Sequence, residues 1–161
     1  MAWSFYNSSG VAKTGDQAIL DGPRRLAYIT RTSTYAVSSS TISGAADLFS
    51  SDLSITADGT SDYRFEFFCP LVWVESVSNG GVFLALVRGD GTEIGEFGSR
   101  GRQDGVAVGH NNIRATIYST PASGARTFNV RARFQTASSN PQLINIPGIP
   151  MFLAIFGADA L

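Results

Sequence analysis

Apolar and polar positions alternate along this chain with a period of two over short runs, and Gly, Ser, Asn, Asp and Pro break the runs at short intervals. That is the pattern of strands joined by turns. In residues 126–135, Phe128, Val130, Ala132 and Phe134 fall on one side and Asn129, Arg131, Arg133 and Gln135 on the other, an alternation that helical periodicity cannot produce. Residues 63–68 alternate in the same way after a turn at Asp58-Gly59-Thr60. Asp90-Gly91 turns 82–87 into 92–97, the clearest hairpin in the sequence. Residues 52–57 and 112–119 read as further strands, and so does 26–32, continued over 33–40 after a bend. Pro70 interrupts an apolar run, so 71–77 is expected to be a separate strand or an edge segment. Glycines at 95, 98, 101, 105 and 109 describe a long mobile loop, and 140–150 a proline-marked one. No amphipathic helix is visible.

Two segments, 82–87 and 151–156, have no polar face. One face of an antiparallel sheet usually meets water, so each segment needs cover on both sides: a second sheet on one, a neighbouring subunit or a loop on the other. A strand as apolar as 151–156 is a hazard on an edge and is expected in mid-sheet, close to an oligomer axis. Phe83, Leu153 and Ile155 are accordingly the candidate subunit-interface residues. Around ten strands without helices give an all-β fold, an antiparallel two-sheet jelly-roll sandwich, over residues 25–161. Residues 1–24 are expected to form an extended N-terminal arm. Its rings, Trp3, Phe5 and Tyr6, sit on a polar tether and suit anchoring in a pocket of another protein.

Composition sharpens this picture. The hydrophobic fraction of 43% can fill one core, while only 16% of residues are charged, against about 25% in an average soluble domain. A charge-poor surface hints at cover by other subunits. The net charge of −1 lacks the basic excess that phosphate neutralisation needs, which excludes nucleic acid as the main partner. Lys13 is the only lysine, and arginine is preferred where a planar fork must pair or stack. No stretch reaches the roughly 20 apolar residues of a membrane helix. The opening residues lack the basic and apolar regions of a secretory signal, so the chain is expected to be made in a cytoplasm and assembled there.

Catalytic chemistry is sparse. His110 is the only histidine, in a Gly-His-Asn-Asn loop context, and Cys69 is the only cysteine. Neither a histidine- or cysteine-based metal site nor a disulfide can be built from them, and Cys69, between Phe68 and Pro70, reads as a small buried hydrophobe. Of the four glutamates, Glu93 and Glu96 lie close together in the hairpin, a pairing from which a glycosidase could be made. The aspartates 58, 90 and 104 are explained by turns. Arg88-Gly89-Asp90 matches an adhesive tripeptide, but the hairpin turn already accounts for Asp90-Gly91. The expectation is a non-catalytic protein without cofactor or metal.

Longer segments carry a family likeness. WSFYNSSGVAKT at the start, Ala27-Tyr28-Ile29-Thr30, Asp58-Gly59-Thr60 before 63–70, Asp90-Gly91-Thr92-Glu93-Ile94-Gly95 after 82–86, residues 126–132 and the closing 152–156 together resemble, in order, small tail and capsid accessory proteins of tailed bacteriophages. The resemblance implies a trimeric, tumour-necrosis-factor-like jelly roll on the surface of a virion assembled in the host cytoplasm. Its partners would be copies of itself and other virion proteins, above all the major capsid protein, reached through the arm. No collagen-like or coiled-coil shaft is present, which favours a capsid decoration or head-fibre protein. The alternative is a minor tail protein or receptor-binding tip whose loop residues Arg100, Arg102 and His110, with Trp73, contact a host-surface glycan or protein.

Overall fold

The computed structural model describes residues 5–6, 12–13, 24–74, 80–101, 111–135 and 141–157. Among them there is no helix, and twelve strands form. In chain order they are β1 (Phe5–Tyr6), β2 (Ala12–Lys13), β3 (Arg25–Arg31), β4 (Tyr35–Ala36), β5 (Leu53–Ala57), β6 (Tyr63–Trp73), β7 (Gly81–Arg88), β8 (Glu93–Gly101), β9 (Asn111–Ser119), β10 (Gly124–Phe134), β11 (Gln142–Ile144) and β12 (Met151–Phe156). β1 and β2 pair only with each other.

Leaving the short β4 and β11 aside, the other eight strands pair first with last and so on inward: β3 with β12, β5 with β10, β6 with β9 and β7 with β8, all antiparallel. A long hairpin paired in this way and rolled on itself is a jelly roll. One sheet runs β3-β12-β6-β9, with β11 and then β4 continuing it beside the far end of β6; the other runs β5-β10-β7-β8. The all-β, two-sheet expectation therefore holds.

The core lies between the sheets. The first contributes Phe65 and Phe67 of β6 with Met151, Leu153 and Ile155 of β12, and the second Leu84 and Leu86 of β7 with Phe128 and Val130 of β10, all without exposed surface. Two ring pairs cross the interface, Phe65–Phe128 at 4.8 Å and Phe67–Phe97 at 5.5 Å between centroids, within the range of favourable aromatic contacts.

β7 is buried on its outer side as well. Ala85 and Val87 are closed over by Ile42, which belongs to a segment, residues 37–50, that runs along β10 and folds across this sheet. Backbone bonds attach it at both ends, Phe134 N–H to the Ser39 carbonyl (2.8 Å) and Leu48 N–H to the Val130 carbonyl (2.8 Å). Buried Asn129 secures it further: its side-chain oxygen accepts from Phe49 N–H (3.1 Å), and its amide donates to the Phe49 carbonyl (3.1 Å) and the Asp52 carboxylate (2.9 Å). Arg131 pairs with Asp47 at 2.7 Å, Arg31 donates to the Leu48 carbonyl at 2.6 Å, and the Tyr35 hydroxyl donates to the Ala46 carbonyl. Burial raises the Tyr35 pKa and keeps that hydroxyl protonated.

Four local expectations need correction. β6 passes through Pro70 without a break, because a register shift between Cys69 and Val72 places the proline where no ladder bond is required. β8 extends to Gly101, so the glycine-studded stretch is strand as far as that residue. Its register shifts beside Leu84/Ala85, where Gly98 adopts φ 114°, a left-handed conformation open to glycine that turns Phe97 into the core. Residues 33–40 supply only the two-residue β4, and the proline-marked loop contains β11.

At the β5–β6 turn, Asp58 accepts from the amides of Thr60 and Ser61, both at 2.8 Å, and from the Ser61 hydroxyl. These bonds, the hydroxyl's first, pull its carboxyl down to about 2. The ionised form thus favours the folded state above about pH 4, and the benefit disappears as the pH falls towards 2. Thermal melts across that window should show Asp58→Asn flattening the acid limb of the stability curve. Asn129→Ala, which strands the Phe49 backbone groups, should cost about 2–3 kcal/mol in denaturant unfolding.

Candidate interaction surface

The outer face of the first sheet is built from alternate residues of its four long strands. In register, Phe152 of β12 lies between Thr30 of β3 and Phe68 of β6, Ala154 between Tyr28 and Glu66, and Phe156 beside Arg64. β9 adds Arg114 opposite Phe68, Thr116 opposite Glu66 and Tyr118 opposite Arg64. The rings form a row, with Tyr28–Phe152 centroids 5.5 Å apart and Phe68–Phe152 centroids 5.4 Å apart.

Charge on this face is largely internal to it. Glu66 sits 3.9 Å from Arg64 and 4.0 Å from Arg114. The Arg25 guanidinium lies 4.5 Å from the centre of Tyr28 and that of Arg64 4.3 Å from Phe156, both within cation–π range. Large apolar side chains nevertheless stay wet: Tyr118 is 65% exposed, Tyr28 44% and Leu26 43%. They share one sheet face, on β3 and β9.

The residues expected to meet a neighbour are placed differently. Leu153 and Ile155 have no exposed surface and point into the sandwich, so they are core side chains and not interface ones. Phe83 is half-buried under Arg133, whose guanidinium lies 3.8 Å from the ring centre. When a strand is apolar on both faces, its sequence does not say which parity points inward; in β12 the outward set is Phe152, Ala154 and Phe156. Of the arm, Phe5 and Tyr6 lie on β1, while Trp3 is outside the described residues. Arg100 stands on β8 opposite Val82 and not in a loop, and Arg102 and His110 are outside the described residues.

Glu93 and Glu96 are exposed side chains of β8. Among the described residues, no group of three or more His, Cys, Asp or Glu could hold a metal ion, and no helix is long and apolar enough to cross a membrane. The Arg-Gly-Asp tripeptide forms a turn closed by Gly91 N–H to the Arg88 carbonyl (2.8 Å), and Gly89 N–H donates to the Thr127 carbonyl (2.9 Å). The tripeptide is therefore tied down against β10.

Strand order defines a jelly-roll domain in which, among the described residues, one sheet is covered by residues 37–50 and the outer face of the other carries Tyr28, Phe152 and Tyr118. No protein-family model matches the chain, and no curated protein does. Among solved structures, the Eiger TNF of S. frugiperda is similar at 11% identity and a TM-score of 0.44, over 87% of this chain and 91% of that one. The T=1 particles derived from infectious bursal virus are similar at 14% identity and a TM-score of 0.38, over 93% of this chain and 39% of theirs. Dimeric latent PorU of Porphyromonas gingivalis is similar at 10% identity and a TM-score of 0.41, over 86% of this chain and 13% of that one.

Cys69 lies beside this surface on β6 but faces the core. Burial pushes its thiol up to about 11, and the thiol donates to the Leu71 carbonyl at 3.2 Å. A thiolate-directed reagent such as Ellman's disulfide should leave the folded protein unmodified at pH 8 and react with one equivalent once guanidinium unfolds it.

Proposed function

We propose that the chain is a structural accessory protein of a phage virion: a homotrimeric capsid-decoration protein that docks on the major capsid protein through the arm of residues 1–24. The ordered sequence resemblance supports the virion placement. The observation that carries self-association is the bare aromatic face around Tyr28, Phe152 and Tyr118. A closed assembly brings the same patch of every copy to one axis. Rings can pack on copies of themselves there, and Glu66, paired with Arg64 and Arg114, does not meet its copies as a free carboxylate. Interfaces of this kind favour aromatic and arginine side chains over lysine and free carboxylates. Decoration then stabilises the shell by binding only its assembled state.

Sedimentation equilibrium at micromolar concentration should give three times the 17.1 kDa chain mass. Tyr118→Arg, which places like charges at the axis, should weaken association by about thirtyfold or more, the ratio that corresponds to about 2 kcal/mol. A monomer at that concentration would refute the trimer. Removing residues 1–24 should abolish binding to the shell. Labelled protein found by electron microscopy on the tail and not on the shell would move it to a minor tail role.

A further inference from the structure

At the end of the sandwich where the edge strands β8 and β9 approach each other, a cleft of about 260 Å³ opens. That is near the lower end of small-ligand sites, about 300–1,000 Å³. Three segments wall it: the β7–β8 hairpin with Arg88 and Glu93, the β9–β10 connection beginning at Ser119, and β10 with Arg126. A second cleft of about 190 Å³ shares Arg88 and Arg126 and carries on past Asp90 and Thr127. Arg88 and Arg126 thus line both clefts, the two lobes of the candidate groove.

The walls are held in place before any ligand arrives. Arg126 donates from Nε to the Ala122 carbonyl and from Nη2 to the Ser123 carbonyl, both at 2.8 Å, which fixes the guanidinium plane and leaves Nη1 free. The hairpin is closed by Arg88 N–H to the Thr92 carbonyl (2.9 Å) and anchored through Gly89 to Thr127. Gly89 itself has no room for a side chain, since a Cβ there would fall 2.0 Å from the Thr127 hydroxyl. The Arg88 guanidinium, by contrast, pairs with no carboxylate among the described residues and is exposed.

Arg88 and Arg126 face one carboxylate, Glu93, in the first lobe and one, Asp90, in the second. With two guanidinium groups and two carboxylates around it, the groove has no charge excess for a phosphate dianion, whereas a single carboxylate placed between the arginines and away from Glu93 is tolerated. The exposed Arg88 fork matches a carboxylate, and Arg126, whose Nε and Nη2 are engaged, can add a single bond from Nη1. Glu93 can accept from hydroxyl groups and Ser119 can both donate and accept, while Ile94 and Pro121 give the lobe an apolar wall for the C–H face of a ring. We propose that the groove binds an acidic saccharide, a sialic- or uronic-acid residue whose carboxylate lies between Arg88 and Arg126. None of these residues lies on the aromatic face, so the site stands whether or not the chain trimerises.

The test is to titrate the full chain, followed by amide chemical shifts, with N-acetylneuraminic acid, glucuronic acid, glucose and inorganic phosphate. Saturable shifts at Ile94 and Ser119 are expected with the two acidic sugars and not with glucose. Arg88→Gln, a change at an exposed side chain, should weaken acidic-sugar binding by about tenfold or more, as expected for loss of a charge-assisted bond. The proposal is overturned if glucose binds as tightly as glucuronic acid, if phosphate alone saturates, if no probe saturates at tens of millimolar, or if Arg88→Gln leaves acidic-sugar affinity unchanged.

Discussion

A strand with no polar face must be covered twice, and the way β7 meets that requirement shapes the whole molecule. Its inner side chains pack against the first sheet; its outer ones, Ala85 and Val87, are closed over by Ile42. For residues 37–50 to lie there, their backbone groups needed partners, and Asn129, Arg31 and Tyr35 provide them, while Arg131 pairs with the Asp47 carboxylate. The second sheet is thereby finished within one chain. Among the described residues no such segment covers Tyr28 and Tyr118 on the first sheet, which gives the sandwich two unlike sides.

The arginine bias follows from the same economy of charge. Arg31, Arg126 and Arg131 spend their forks on backbone carbonyls or Asp47, and Arg25, Arg64 and Arg133 sit over rings. A lysine ammonium, a hydrated point charge on a flexible stem, does neither well. Many of the few charges present are therefore engaged within the chain itself.

Strand identity was legible wherever one face is polar, as in β10, where Asn129, Arg131 and Arg133 alternate with Phe128, Val130 and Ala132. The hairpin at Asp90-Gly91 was legible from its turn residues, and the buried role of Cys69 from its apolar neighbours. Parity in β12 was not, because Leu153 and Phe152 are equally apolar and only the pairing partners decide which turns inward. β8 was legible as the return strand over 92–97, but its continuation to Gly101 was hidden by glycines, of which Gly98 serves a register shift. The Arg88–Arg126 groove could not be read at all, since it joins side chains that only the rolled topology brings together.

That topology also sets when the domain can form. β12 lies between β3 and β6, so the earliest long strand and the central one both wait for a partner from the last stretch of chain. A ribosome would have to release residues up to 157 before the first sheet could close. Until then the inward faces of β3 and β6 stay open to chaperones and to neighbouring nascent chains.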